Sequence, residues 1–280
     1  MKTIKNEEFG GERPLFDSHD LRLENVTIHA GESAIKCCSN IEAKDCTFEG
    51  KYPFWHVDGF RIENCLFRPG ARAALWYSKN LEMKDTLVEA PKMFREMDGI
   101  KLTNVKIPDA QETFWDCRNI TLRNVEVKNA DYIYMHSSDI DIADYYQEGN
   151  YSFQYCKNVV IRNAVLHTKD AFWETENVTV YDSEIIGEYL GWHSKNLRLV
   201  RCKISGTQPL CYAEGLVLED CTFGEDADLA FEESTLNATV NGKITSVKNP
   251  TSGRIVADGY GEIIIDEHVK QPADCEIITR

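Results

Sequence analysis

Asp116 and His136 stand twenty residues apart, and Glu174 and His193 nineteen. An acid held against an imidazole orients it as a general base. Glu96 stands twenty residues before Asp116. Two carboxyl groups about 5 Å apart would suit the double displacement of a retaining glycosidase. Glu96, Asp116, Glu174 and His193 each have an aromatic or cationic neighbour one residue earlier: Arg95, Trp115, Trp173 and Trp192. Tyr155 occupies the equivalent place between His136 and Glu174. Flat rings can stack on pyranose faces, and carboxylates accept hydroxyl hydrogen bonds. This chemistry requires a fold that returns the chain to the same side every twenty residues.

The sequence has that period. Taking one apolar anchor per copy gives Leu21, Ile41, Phe60, Leu81, Ile100, Ile120, Ile140, Val159, Val178, Leu197 and Leu216, in steps of nineteen to twenty-one. Such regularity decides the architecture. Two residues on, a second apolar column runs from Leu23 to Leu218, and the residues between are mostly charged or Thr. That alternation predicts a strand with one buried face. Four residues after each anchor stands Asn or Asp, from Asn25 through Asn64 and Asn124 to Asp220, with Arg201 the exception. Asn and Asp tolerate the left-handed conformation, so this column marks a bend. A second short strand follows, then a third apolar stretch such as "TFWD" or "AFWE". Three short strands per coil, a stacked bend residue and no helical segment predict a parallel β-helix.

With its Asn/Asp ladder and aliphatic stacks over residues 15–235, the chain resembles the pectin-lyase-like superfamily of right-handed parallel β-helices. Within that superfamily it looks like a bacterial family of unknown function with single-domain chains. The resemblance implies an all-β, right-handed, single-stranded parallel β-helix of eleven to thirteen coils. It also implies sugar-polymer lyases, hydrolases, esterases or adhesins, a range too wide to assign an activity. Polygalacturonase-like members carry Asn-Thr-Asp, Asp-Asp, Gly-His-Gly and Arg-Ile-Lys motifs, and none occurs here. Calcium-dependent pectate lyases need clustered Asp with an Arg base, for which Arg95, Glu96 and Asp98 are a thin match.

The expected organisation is one domain over 1–280. Residues 1–14 form an N-terminal cap, 15–235 the regular coils, and 236–280 irregular last coils or a hairpin around Asp258-Gly259. Neighbouring coils lie about 4.8 Å apart. Glu96 and Asp116 are then one coil apart, whereas Asp116 and Glu174, like His136 and His193, are three coils or about 14 Å apart. That distance exceeds both glycosidase geometries and prevents the two imidazoles from sharing one metal. The expected catalytic residues are Asp116, His136, Glu174 and His193. The expected substrate-binding residues are Trp115, Tyr155, Trp173, Trp192, Arg95 and Glu96. No metal or cofactor is expected. An aromatic ladder also stabilises a sheet by itself, or can meet a partner or a second copy, so a non-catalytic scaffold stands beside the carbohydrate reading. The coil 137–155 breaks the pattern with Tyr145 and Gln147 in inward slots, and such a coil is where a site is expected.

A net charge of −15 opposes a nucleic-acid partner and disfavours an anionic membrane or a polyanionic sugar. The N-terminus lacks the apolar core of a secretory signal, which leads us to expect a cytoplasmic protein with reduced thiols. Cys46/Cys65 and Cys202/Cys221 stack as inward pairs, expected to be free thiols because parallel in-register neighbours rarely have bridging angles.

Overall fold

A computed structural model describes residues 1–267 and 274–280. The fold is an all-β parallel solenoid, as the resemblance implies, with about fourteen turns where eleven to thirteen coils were expected. No helix occurs among the described residues. The chain divides into two compact units, Met1–Tyr145 and Tyr146–Arg280.

In the first unit, strands His19–Glu24, Ser39–Lys44, Asp58–Glu63, Lys79–Lys84, Asp98–Ile107 and Arg118–Val127 pair in parallel. Their register runs Leu21 to Ile41, Phe60, Leu81, Ile100 and Ile120. In the second unit Val159 pairs with Val178 and then Leu197, and Leu216 pairs with Leu236. All eleven anchors are buried, none more than 3% exposed. Side-chain alternation and a repeat near twenty residues place the same apolar slot over itself on every turn, so burial and register reinforce each other. The rings follow the same rule. Phe94, Phe114 and Tyr134 stack face to face inside the first unit at 4.6 and 4.9 Å, and Phe153 lies 5.2 Å from Phe172 inside the second.

Both chain ends pair with neighbouring coils. Residues 1–14, expected as a cap, are themselves built as a coil. Lys2–Lys5 pairs with His19–Glu24, and Asn6 accepts a bond from Asn25 Nδ2 at 2.8 Å. The two apolar runs around Asp258 do not form a hairpin. Ser252–Ala257 pairs in parallel with Thr235–Val240, and Gly259–Ile264 with Lys243–Lys248. Residues 268–273, also within the expected C-terminal segment, lie outside the described residues.

The third apolar stretch is not a strand. Phe114 and Asp116 have φ of 59° and 54°, and Tyr132, Tyr134 and His136 repeat the pattern at 58°, 65° and 58°. Left-handed residues at alternate positions turn successive N–H groups in opposite directions along the stack. Thus Phe114 N–H donates to Met93 O on one side, and Asp116 N–H to Met135 O on the other. The hydrogen-bonding capacity of a strand is kept without its pleat.

The Asn/Asp ladder lies outside, not in the core. Asn64 Nδ2 donates to Asp45 Oδ1 at 2.6 Å and Asn124 Nδ2 to Asn104 Oδ1 at 2.9 Å, all exposed. Arg201 replaces the amide rung with a two-point ion pair to Asp182 at 2.6 and 2.8 Å. Just inside the ladder runs a column that answers the bend. Cys46 N–H donates to Cys65 Sγ, Cys65 N–H to Thr86 Oγ1 and Ala164 N–H to Ser183 Oγ. Where the column residue is Val105 or Val125, the strand instead runs unbroken through ten residues. All ten cysteines are free.

Candidate functional site

In the first unit the turn-rich side carries Trp55, Trp76, Arg95 and Trp115 as a half-buried stack. Trp55 and Trp76 lie 5.6 Å apart at 12°. The Arg95 guanidinium sits 4.4 Å from the centre of the Trp76 ring and 4.5 Å from that of Trp115. Each indole N–H donates to a main-chain carbonyl of the next coil: Trp55 to Ala73 and Trp76 to Lys92, both at 2.7 Å, and Trp115 to Tyr132 at 2.5 Å. Ring faces that cover one another along the stack are not presented to a sugar. The geometry therefore gives Trp115 and Arg95 a packing role.

One residue further on, the column of acids, His and Tyr is exposed at its acids and imidazoles. His56 stacks on Tyr77 at 5.1 Å. Glu96 and Asp116 are brought together: Glu96 N–H donates to Trp115 O at 2.9 Å, and both acids line one cavity of about 520 Å³ with Lys79, Asp98 and Arg118. Hydrogen bonds from Arg118 and Asn119 hold the Asp98 carboxyl below the usual carboxylate range. His136 follows Asp116 by one coil, registered by the Asp116 N–H bond to Met135 O at 3.0 Å.

A second concavity lies beside this cavity, on the outer face of the anchor strands. It is a groove of about 680 Å³. Its floor carries Glu42, Arg61, Glu82, Lys101, Thr121 and Asp141, one per coil. Glu82 is shared between Arg61 at 3.2 Å and Lys101 at 3.7 Å. Asp98 and Arg118 line the cavity, and their chain neighbours Gly99 and Asn119 line the groove, so the two adjoin.

This groove was missed by the sequence reading, although a signal for it was present. Before every anchor stands Asn, Asp or Gly: Asp20, Asn40, Gly59, Asn80, Gly99, Asn119, Asp139, Asn158, Asn177, Asn196 and Gly215. All adopt positive φ and form a second bend column bordering the strand.

In the second unit, Glu174 N–H donates to Trp192 O at 2.9 Å, which sets Glu174 beside His193. The His193 ring stacks on Tyr212 at 5.2 Å. Trp192 Nε1 donates to Gln208 O at 3.1 Å, as in the first unit, whereas Trp173 Nε1 is buried without a partner. Tyr155 is 40% exposed. The rule-breaking inward side chains bond internally. Tyr145 accepts from Tyr134 Oη at 2.9 Å in the first unit. In the second, Gln147 donates to Ser152 Oγ, which lies 2.9 Å from Thr168 Oγ1. These groups point into the core, so the irregular coil is a polar packing solution there.

No curated protein sequence is detectably similar to the chain. Among solved structures it is similar to the A-module of a mannuronan C-5 epimerase from Azotobacter vinelandii, with 10% identity and a TM-score of 0.44 over 100% of this chain and 91% of that one. It is also similar to the catalytic domain of a GH87 alpha-1,3-glucanase, with 11% identity and a TM-score of 0.33 over 99% and 63% of the two chains. The Streptococcus pneumoniae surface adhesin PfbA matches at 8% identity and a TM-score of 0.35 over 99% and 91%. A family model described as "Protein of unknown function (DUF3737)" matches residues 2–278, and the chain belongs to that family.

Proposed function

We propose that the protein binds or modifies a carbohydrate on the face of the first unit that runs from Glu96 and Asp116 into the strand groove. The observation that carries this reading is the adjoining pair of concavities, one polar and elongated, the other holding two carboxylates on neighbouring coils. Main-chain registration one coil apart, about 4.8 Å, matches the close carboxylates of retaining glycoside chemistry. In that chemistry one carboxylic acid protonates the leaving oxygen while the other carboxylate attacks the anomeric carbon. In this reading His136, one coil beyond Asp116, relays a proton. In the second unit, Glu174 with His193 forms a separate acid–imidazole pair, proposed as a further general base, with Tyr155, Trp173 and Trp192 near it.

The test is a glycan array with thermal-shift confirmation on the intact protein, since a ligand of the native state raises its melting temperature. Glu96→Gln and Asp116→Asn are expected to abolish binding or turnover while melting stays nearly unchanged. Wild-type binding by both variants would overturn the assignment. A second reading, a non-catalytic scaffold, is favoured by the indole N–H groups bonded to main-chain carbonyls. It predicts that Trp115→Ala and Trp173→Ala alter melting or mass in solution, and that the acid variants change nothing.

A further inference from the structure

The column bordering the groove alternates. Asn40, Asn80 and Asn119 occupy every second coil, and Gly59 and Gly99 the coils between. In the second unit the same column is continuous over three coils before Gly215: Asn177 Nδ2 donates to Asn158 Oδ1 at 3.4 Å, and Asn196 Nδ2 to Asn177 Oδ1 at 3.0 Å. In the first unit the glycines break that chain of amides. The Asp preceding each glycine takes over as acceptor. Asp58 Oδ1 receives Asn80 Nδ2 at 2.7 Å, and Asp98 Oδ1 receives Asn119 Nδ2 at 2.6 Å.

The exchange has a consequence on the other side of each amide. Asn40 Oδ1 and Asn80 Oδ1 face coils that have no side chain, and no donor among the described residues reaches either oxygen. A Cβ added at Gly99 would stand 3.2 Å from Asn80 Oδ1, and one added at Gly59 would meet only Asn40 N at 4.0 Å. Packing therefore does not demand glycine at position 59, and at position 99 it asks only that the end of the Asn80 side chain give by a few tenths of an ångström, while the αL conformation accepts Asn on the neighbouring coils. The glycines leave two notches, each with an unused amide oxygen and a cation two residues along the strand, Arg61 or Lys101. The notches are two coils apart, about 9.6 Å. Two pyranose units of an extended chain span a similar length.

Resting on the carbohydrate reading above, we propose that these notches bind a neutral, extended glycan lying along the coil axis of the first unit and contacted at every second sugar. The amide oxygens accept hydroxyl hydrogens, and the cations donate to ring or hydroxyl oxygens. The groove's charge selects against uronic polymers. Glu42, Glu82, Asp139 and Asp141 outnumber Arg61 and Lys101 four to two, so a polyanion meets net repulsion.

The experiment measures Kd of the intact protein for neutral gluco-, manno- and xylo-oligosaccharides and for oligomers of hexuronic acid. Gly59→Asn and Gly99→Asn complete the amide column. Each is expected to weaken neutral-oligomer binding by about tenfold or more while melting is unchanged or raised. Asn80→Gly, at a φ of 57° that glycine adopts freely, removes the acceptor without filling the notch and is expected to weaken binding similarly. Gly215→Asn, in the same column of the second unit, is the control and leaves binding as in wild type. Neutral binding untouched by all three groove variants, or tighter binding of the uronic oligomers, overturns this inference and leaves the carbohydrate reading standing. Absence of binding to every glycan overturns both.

Discussion

The guanidinium of Arg95 lies 4.5 Å from the centre of the Trp115 ring, with Trp76 on its other face at 4.4 Å. Its Nε and Nη2 are buried without a hydrogen-bond partner, and the nearest carboxylate, Glu112, stands 3.7 Å from Nη2. The planar cation therefore substitutes for a ring in an aromatic stack. Lys has no plane to offer. Arg95→Lys is expected to destabilise by about 1 kcal/mol and Trp115→Ala by about 2 kcal/mol. Urea denaturation checks both. An unchanged midpoint for Trp115→Ala would show that the stack carries no stability.

The outer ladder separates a conformational cost from a bonding cost. Asn124 sits at φ 52° and bonds Asn104 in the open. Asn124→Ala should cost about 1 kcal/mol through left-handed strain on a residue with a Cβ. Asn124→Gly should cost only a few tenths of that, because it loses an exposed bond but no longer strains. Equal melting losses for the two would assign the ladder to hydrogen bonding.

Much of this architecture was legible in the sequence, because the period of anchors such as Ile100 and Ile120 and the alternation around them are enforced by burial. The inward Phe column and the half-exposed Trp column were legible for the same reason. The groove was not. Its floor is charged, and outward residues such as Arg61 and Lys101 carry no periodic constraint of their own. Their importance comes from the bend column at Gly59 and Gly99, which reads in sequence as loop punctuation. The turn-rich third side was also hidden, because alternate left-handed residues bury every second side chain just as a strand does. Which way the Trp faces pointed depended on that backbone.

The buried Cys65 thiol acts as an acceptor, and that is testable. Cys65 Sγ receives the Cys46 N–H at 3.3 Å, a place Thr86 Oγ1 fills for Cys65 itself. Cys65→Thr should be tolerated, whereas Cys65→Val leaves a buried N–H unsatisfied at a cost of about 2 kcal/mol. The same burial pushes the Cys117 thiol up to about 12. Under native conditions a thiol reagent at neutral pH should therefore label exposed Cys37 quickly and Cys117 only after unfolding. Native labelling of Cys117 would contradict this packing.

His29 gives the chain a small pH response. Its ring lies 3.1 Å from Glu8 and 3.1 Å from Glu49, hydrogen bonds that raise its pKa above the ordinary 6.5. A raised folded-state pKa stabilises fully below 6.5, and that contribution fades as pH rises through the raised value. NMR titration of His29 should show a midpoint above 6.5, returning toward it in Glu8→Gln. A midpoint at or below 6.5 in the wild type would break the argument.

The column that answers each bend also limits how such a chain can be edited. Cys46 needs a sulfur or hydroxyl above it, and three coils further on the same slot holds Val105. Excising the two intervening coils would set a valine against the Cys46 N–H and orphan a buried donor, at about 1–3 kcal/mol. Removing one coil, so that Thr86 follows Cys46, would not. The turns are therefore an ordered series with permitted and forbidden neighbours. Growth or shortening by whole turns is cheapest where the incoming neighbour already carries an acceptor.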